Sequence, residues 1–484
     1  MTTYLGLDLG TSGLRALLID AGGGVIGAAE AACSVSQPYP GWSEQDPAQW
    51  IAALDQVMAA LKASHPAALS ALAGIGTAGH MHGATLLDAS GAVIRPCILW
   101  NDTRSHAEAA RLDALDGVRD LSGNIVFPGF TAPKLDWVRL HEPESFSRIA
   151  KVLLPAAYLN FHLTGETVAD MSDAAGTSWL DTGARDWSDD LLAAGHMRRD
   201  QMPRLVEGCE AGGILRAELA AAWGIAGPVT IAGGAGDNAA AACGTGCLSE
   251  GQGFVSLGTS GVLLAARDGY HPDADSALHT FCHAVPGRWY QMGVMLSATD
   301  SLNWLGRITG RRPAELSADL GDLRGPGQTR FLPYLAGERT PYNDAAIRGA
   351  FTGLASATDT ADLTRAVMEG VAYGLRDTAQ AMKAVGARPE ALLMIGGGSA
   401  SEYWVELMAT VLDMPMLLPA RGEFGAALGA ARLGQIAATG AAPEDLLTRP
   451  EIAHEVPPNR ALTEQFNAGY DRFRAAYPAI REIQ

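Results

Sequence analysis

Tyr4-Leu5-Gly6-Leu7-Asp8-Leu9-Gly10-Thr11-Ser12-Gly13 is the stretch that decides the fold. An apolar run carries one carboxylate, Asp8, breaks into Gly-Thr-Ser-Gly, and resumes at once from Leu14 to Ile19. That pattern predicts two strands joined by a tight loop. Asp8 is out of place in such a strand, because a buried unpaired carboxylate is costly. The loop beside it offers backbone N–H groups and two hydroxyls with no bulky side chain in the way. Such loops suit phosphate, and a carboxylate next to phosphate suits Mg²⁺.

The same pentapeptide returns downstream. Leu9-Gly10-Thr11-Ser12-Gly13 recurs as Leu257-Gly258-Thr259-Ser260-Gly261, 248 residues on in a chain of 484. Both copies stand between apolar runs, with Phe254-Val255-Ser256 and Val262-Leu263-Leu264 flanking the second. Either copy alone reads as an ordinary Gly-rich hairpin turn. An identical pair half a chain apart predicts an internal duplication, two related domains that each bring one phosphate loop to a shared cleft. The boundary is expected near Leu248 to Gly253, giving domains 1–248 and 249–484.

At 484 residues, 48% hydrophobic and with 57 glycines, the chain has ample core for two or three domains of α/β type. A formal charge of −18 argues against nucleic acid or an anionic membrane surface as partner. An anionic ligand such as ATP would then need local compensation from Mg²⁺, backbone N–H groups and a few cations. Cys33, Cys97, Cys209, Cys243, Cys247 and Cys282 are scattered with no Cys-x-x-Cys, which suggests a reducing compartment. The amino terminus lacks a basic segment followed by an apolar one, and no window reaches ~18 uninterrupted apolar residues. A cytoplasmic protein is expected.

Along the chain, Val25 to Ala31 reads as a third strand. Asp46 as N-cap and Pro47 at the first helical position predict a helix whose apolar face is Trp50, Leu54, Val57, Met58 and Leu61. Leu72 to Thr77 reads as a buried strand delivering His80-Met81-His82 at its carboxyl end, and Cys97 to Trp100 as another. Val229 to Ala232 runs into Gly233-Gly234-Ala235-Gly236-Asp237-Asn238 and an Ala-rich helix. Leu392 to Ile395 leads into Gly396-Gly397-Gly398 and a helix from Glu402 to Val411. Gly422 to Leu433 is expected to be a closely packed helix, and Phe466, Tyr470 and Phe473 mark a final docking helix.

Asp237 has two readings on position alone. It is a helix N-cap, as Asp often is, or a general base where a strand ends at a cleft. His80 and His82 alternate as in an extended segment, so both rings are expected on one side. No third or fourth ligand with metal-site spacing lies nearby, and the same holds for His279 and Cys282-His283. His82 is better placed to hydrogen-bond a polar ligand at a strand's carboxyl end. Cys243 and Cys247 read as small buried residues. Walker A and Rossmann patterns are absent where they would matter.

Together these residues resemble the FGGY family of carbohydrate kinases over roughly residues 4 to 435. The carriers are Gly6-Leu7-Asp8-Leu9-Gly10-Thr11-Ser12, Gly41-Trp42-Ser43-Glu44-Gln45-Asp46-Pro47, Gly79-His80-Met81-His82-Gly83 and Ile98-Leu99-Trp100-Asn101-Asp102. They continue through Gly129 to Leu135, Met171 to Thr177, Gly236 to Ala240, Phe331 to Leu335, Gly337-Glu338-Arg339-Thr340-Pro341 and Gly349 to Glu369.

The resemblance implies a two-domain actin-like ATPase fold built on duplicated ribonuclease-H-like sheets, with the active site between them. It also implies ATP and Mg²⁺ as cofactors and a small sugar as substrate, D-xylulose being the expected acceptor at its 5-hydroxyl. Asp8 would organise Mg²⁺. Thr11, Ser12, Arg15, Gly258 and Thr259 would serve the ATP phosphates, and Gly396 and Gly397 the adenosine. Met81, His82, Trp100 and Asn238 would line the sugar pocket, with Asp237 as the base. A homodimer is the candidate assembly. Two positions depart from the pattern: His80 stands where Gln is expected, and Arg15 where Lys is also found. The alternatives are a kinase for ribulose, ribitol or glycerol, and an actin-like nucleotide switch without enzymatic activity. Asp237 and the polar, aromatic pocket argue against the switch.

Overall fold

A computed structural model describes residues 2–420 and 425–484. Two large sheets organise the chain. The first contains β1 (Thr3–Gly10), β2 (Gly13–Asp20), β3 (Val25–Ala32), β4 (Leu72–Gly79), β5 (Ala211–Ile214) and β6 (Thr230–Ala232), with β7 (Ala235–Gly236) paired to the end of β4. The second contains β8 (Gly253–Leu257), β9 (Gly261–Arg267), β10 (His279–Cys282), β11 (Trp289–Met295), β12 (Leu392–Ile395), β13 (Met416–Pro419) and β14 (Ile452–Val456).

The orders are β5-β6-β4-β1-β2-β3 and β14-β13-β12-β8-β9-β11-β10. Strand directions also match. β1–β2 and β8–β9 are antiparallel hairpins across the two copies of the repeated pentapeptide. β1–β4 and β8–β12 are parallel, and so are β4–β6 and β12–β13. Both outer pairs, β5–β6 and β13–β14, run antiparallel. The repeat in sequence is therefore a repeat in topology.

The period-2 pattern of β1 sorts its side chains into two layers. Leu5, Leu7 and Leu9 enter one apolar cluster with the Trp50, Leu54, Val57 and Met58 face of α1 (Pro47–Ser64). That helix starts as its sequence predicts: Asp46 accepts the Ala48 N–H at 3.0 Å and Pro47 opens the first turn. Tyr4 and Gly6 face the opposite side, and Asp8 follows them. Near that face lies α2 (Asp237–Thr245). The second sheet is covered in part by α3 (Thr360–Ala384), much of it buried.

The opposite face of the first sheet is covered by α4 (Ala426–Thr439), which comes from the second half of the chain. Glycine makes this possible. A Cβ on Gly6 would stand 1.8 Å from the Ala427 carbonyl oxygen, and one on Gly76 1.9 Å from that of Ala430. α4 also crosses α2 closely, with a Cβ on Gly429 falling 1.8 Å from the Ala240 carbonyl oxygen. The halves are thus interlocked through α4. The expected helix from Gly422 to Leu433 is α4, and its residues up to Phe424 lie outside the described residues. The last helix, α5 (Thr463–Ile483), docks through Phe466, Tyr470 and Phe473 as expected.

Two details differ from the sequence reading. The strand expected at Cys97 to Trp100 covers only Cys97–Ile98, leaving Trp100 beyond its end. His82 takes a left-handed backbone (φ 69°), so His80 to His82 is a turn and not an extended segment. Among the described residues, no helix is long and apolar enough to cross a membrane.

Candidate active site

β1, β4 and β7 are parallel neighbours, with Leu9 beside Gly79 and Gly79 beside Gly236. Their carboxyl ends reach one edge of the sheet together, so Thr11, His82 and Asp237 leave the strands at the same place. Asp237 is the first residue of α2, and Gly236 holds the cap position with no side-chain bond. The N-cap alternative is therefore corrected. The Asp237 Oδ1 instead accepts from the backbone N–H and the side-chain amide of Asn238, at 2.7 and 2.8 Å.

Burial pushes the Asp237 carboxyl up to about 7, and the nearby Asp8 charge adds to the rise. Burial also lifts Asp8 to about 6, against the lowering charge of Arg15, its cross-strand neighbour. Arg15 is itself paired with Glu30 at 3.2 Å. Among the described residues no group of three or more His, Cys, Asp or Glu could hold a metal. A Mg²⁺ ion does not need one: it takes one or two carboxylates, phosphate oxygens and water. Asp8, partly exposed at a strand end beside a phosphate-type loop, fits that donor set.

Asp237 and Asn238 open on a cavity of about 220 Å³ that Met81, His82, Trp100 and Phe130 also line. His82 stacks on Phe130 with ring centroids 4.4 Å apart. Its Nδ1 lies 2.6 Å from the Gly176 carbonyl oxygen, so Nδ1 carries the proton and donates. Burial pulls the imidazole down to about 3, so the ring is neutral and Nε2 is an acceptor. Two donors fix the left-handed turn from behind: Lys134 Nζ and Thr131 Oγ1 reach the His82 carbonyl oxygen at 2.8 and 3.2 Å. His80 does not share this side. Its ring packs edge-on to Trp50, 5.6 Å away, in the core behind the strand.

The two repeated loops meet this cavity from both halves. Trp100 donates from its indole to Thr11 Oγ1, joining the pocket wall to the first loop, where Ser12 is exposed. Ser260 of the second loop lines the cavity directly, and Thr259 beside it is exposed. The Gly258 carbonyl accepts from both the N–H and the hydroxyl of Thr299. Thr299 in turn borders a second cavity, of about 580 Å³, together with Asn303, Gly397, Ser401 and Tyr403. Gly396 stands at its edge in a glycine-type backbone (φ 87°) and lines a neighbouring cavity with Ser256.

Several residues here were not singled out for a role from the sequence. Phe130, Lys134, His279, Thr299 and Arg339 all reach these cavities or their supports. Asp173 is buried with no partner for its carboxyl oxygens among the described residues; burial raises its proton affinity, and the charges of Asp170 and Asp237 add to the rise. For Phe130, Lys134, Asp173 and Arg339 the usable signal was membership in the runs Gly129 to Leu135, Met171 to Thr177 and Gly337 to Pro341, whereas His279 and Thr299 lie in none of them.

Comparison with known proteins identifies the family. The amino-terminal domain model of the FGGY family of carbohydrate kinases matches residues 3–244, and the carboxyl-terminal domain model matches 253–438. The chain is 49% identical over 438 residues to the xylulose kinase of Escherichia coli (strain K12), covering 90% of each chain. It is 46% identical over 483 residues to that of Klebsiella pneumoniae, covering 99% of this chain and 97% of the relative. A crystal structure described as a xyloylose kinase from Brucella ovis superposes with a TM-score of 0.98 at 57% identity, over 100% of both chains. The duplicated sheets are those of the actin-like ATPase fold, and the chain belongs to the FGGY family of carbohydrate kinases.

Proposed function

We propose that this chain transfers the γ-phosphoryl group of ATP to the 5-hydroxyl of D-xylulose. The observation that carries the assignment is the placing of Asp237 on the cavity of Met81, His82 and Trp100, with a Gly-Thr-Ser-Gly loop arriving from each half. The relatives' shared activity supports the choice of sugar.

In this mechanism the sugar lies in the smaller cavity with its terminal hydroxyl at Asp237. The carboxylate accepts the hydroxyl proton as the oxygen bonds to the γ-phosphorus, and the bond to the bridging oxygen of ADP breaks. A base with a pKa near 7 suits transfer at neutral pH. Asn238 steadies the carboxylate through its two hydrogen bonds. His82 accepts from a sugar hydroxyl through Nε2. Thr11, Ser12, Arg15, Gly258 and Thr259 receive the phosphates, and the cavity beside Gly396 and Gly397 takes the adenosine. Asp8 would hold Mg²⁺, which when bound neutralises charge on the transferring phosphates. Phosphoryl transfer asks mainly for such alignment, so two lobes built on the two sheets, the first carrying α4 with it, closing on both ligands also keep water out.

An ADP-release assay across D-xylulose, D-ribulose, ribitol and glycerol tests the assignment. D-xylulose should give the highest kcat/KM. A much higher value with any of the others overturns the choice of sugar, and no sugar-dependent ADP release overturns the kinase.

A further inference from the structure

The second half of the chain supplies part of the wall of the cavity proposed for the sugar. His279, from β10, and Arg339 both line it. His279 is 1% exposed, stacks on Phe281 at 5.2 Å, and has no partner for either ring nitrogen among the described residues. The Arg339 guanidinium lies 4.9 Å from the Phe127 ring centroid and meets no hydrogen-bond acceptor among the described residues. Its backbone is held firmly. Thr340 pairs with Val294 of β11 in both directions, and the buried Glu338 carboxylate accepts from the Arg339 and Leu296 N–H groups.

The sugar end that must lie there has a definite chemistry, if the acceptor is the 2-ketose proposed above. The 5-hydroxyl of a 2-ketopentose is the group that closes its furanose ring. A sugar phosphorylated at O5 is therefore bound open, with a free C2 carbonyl and a C1 hydroxyl. With C5 at Asp237, these atoms face the opposite end of the cavity. A carbonyl oxygen only accepts, so it needs a donor. His82 Nε2 is an acceptor, the Trp100 indole N–H is used on Thr11, and the Asn238 amide spends one N–H on Asp237 and stands beside it at the C5 end. Ser260 belongs to the phosphate loop. The unspent donors that the second half brings to this wall are Arg339 and the neutral His279. Burial chiefly depresses the proton affinity of His82 and His279, and the nearby Arg339 charge adds to it for both, so Arg339 lies near both rings on the wall they share.

We infer that Arg339 donates to the C2 carbonyl of the open-chain ketose and that His279 pairs with the adjoining C1 hydroxyl, so that sugar selection is shared by both halves. A ketose then bridges the cleft, whereas a pentitol of the same length offers Arg339 no trigonal carbonyl.

The test uses the full-length enzyme as wild type, Arg339→Gln, Arg339→Lys and His279→Phe. KM is measured for D-xylulose and for ATP, with inhibition constants for xylitol and D-arabinitol, sugar-free ATP hydrolysis and Tm. Loss of a charged donor to a bound carbonyl should raise the D-xylulose KM about 10- to 100-fold in Arg339→Gln. The pentitol constants, the ATP KM and sugar-free hydrolysis should change less than about threefold, a limit set by the weak net worth of unmatched contacts. Arg339→Lys should recover part of the loss, because it keeps a charged donor without the planar fork.

An unchanged D-xylulose KM in Arg339→Gln overturns the inference. So does an equal rise in the ATP KM, which would make Arg339 a phosphate contact. If Arg339→Gln is too unstable to assay, Arg339→Lys and His279→Phe carry the test, and an unaltered D-xylulose KM in both overturns it. Failure of the ketose assignment reads differently: the wild type itself then binds pentitols as tightly as D-xylulose, and the inference falls with it.

Discussion

The Trp100 indole N–H donates to the Thr11 hydroxyl at 3.0 Å, tying the wall of the Asp237 cavity to the first Gly-Thr-Ser-Gly loop. A second tether arrives from below: Gln45 donates to the Thr11 carbonyl at 2.7 Å and accepts from Trp50 of α1 at 3.1 Å. The loop is thus positioned by the pocket on one side and by the core on the other. Trp100→Phe keeps an aromatic wall and removes the donor. A neutral hydrogen bond is worth ~0.5–1.5 kcal/mol, so the ATP KM should rise about 2- to 10-fold together with the sugar KM. Separate titrations of each ligand check this; a rise confined to the sugar would show that the tether does not reach the nucleotide.

As the proposed base, Asp237 should give the reaction an acid limb. The group acts as a base only when ionised, and burial together with the Asp8 charge sets its pKa near 7. The kcat/KM for sugar should therefore level off above about pH 7 and fall roughly tenfold per pH unit below it. Asp8→Asn removes the like charge, so the Asp237 pKa should move down. A carbon-13 NMR titration of Asp237 in Mg²⁺-free enzyme reads the shift without relying on turnover, and no shift would separate the two carboxylates electrostatically.

Lys134 is fully buried, and burial pulls its ammonium down to about 7. It keeps a place in the core because its Nζ holds the His82 carbonyl, and a left-handed non-glycine turn needs such support. Lys134→Met preserves the stem and removes the donor. The sugar KM should rise about tenfold, the worth of one hydrogen bond to a charged group, while the ATP KM stays put. The sign of the pH effect is also set. The folded pKa lies below the unfolded one, so wild-type stability rises with pH from about 7 upward, and the variant should lose that slope. Paired melting curves at pH 6 and pH 9 read it.

Gly6 carries the packing between halves. A Cβ there meets a main-chain oxygen of α4 at 1.8 Å, which no side-chain rotation relieves. Gly6→Ala should cost about 1–3 kcal/mol, as overpacking commonly does, although the strand backbone tolerates alanine. Denaturant unfolding measures it, and a neutral result would mean that α4 is free to shift off the sheet.

Much of this was legible in local pattern. The repeated pentapeptide foretold two sheets, the alternation in β1 sorted its core face, and Asp46-Pro47 marked the start of α1. What escaped was non-local or broke a period. Nothing around Ala426 says that α4 leaves its own half to cover the first sheet; glycines at 6, 74 and 76 only allow it. The alternation of His80 and His82 misled because a left-handed residue ends the strand's period, sending one ring to the core and the other to the cavity. Arg339 and His279 lie far along the chain from the pocket they wall, so no spacing rule could join them to it.

The sharpest test is Asp237→Asn. Since Gly236 holds the cap position of α2, the substitution threatens no cap, and the asparagine oxygen can still accept from the Asn238 N–H. What it loses is the proton-accepting carboxylate, so kcat should drop ~10²–10⁴-fold with ATP binding retained. Stability should move the other way. A carboxyl whose folded pKa lies near 7, above the unfolded value, contributes full stability only below about pH 4 and loses it as pH rises through about 7. In the absence of ligands Asp237→Asn should therefore melt higher than wild type at pH 8, with the gap closing toward about pH 4. Activity and melting curves measured on the same preparation check both halves. Near-normal kcat in the variant removes Asp237 as the base, while a lower melting temperature at pH 8 would mean that its carboxylate is paired in a way this site does not show.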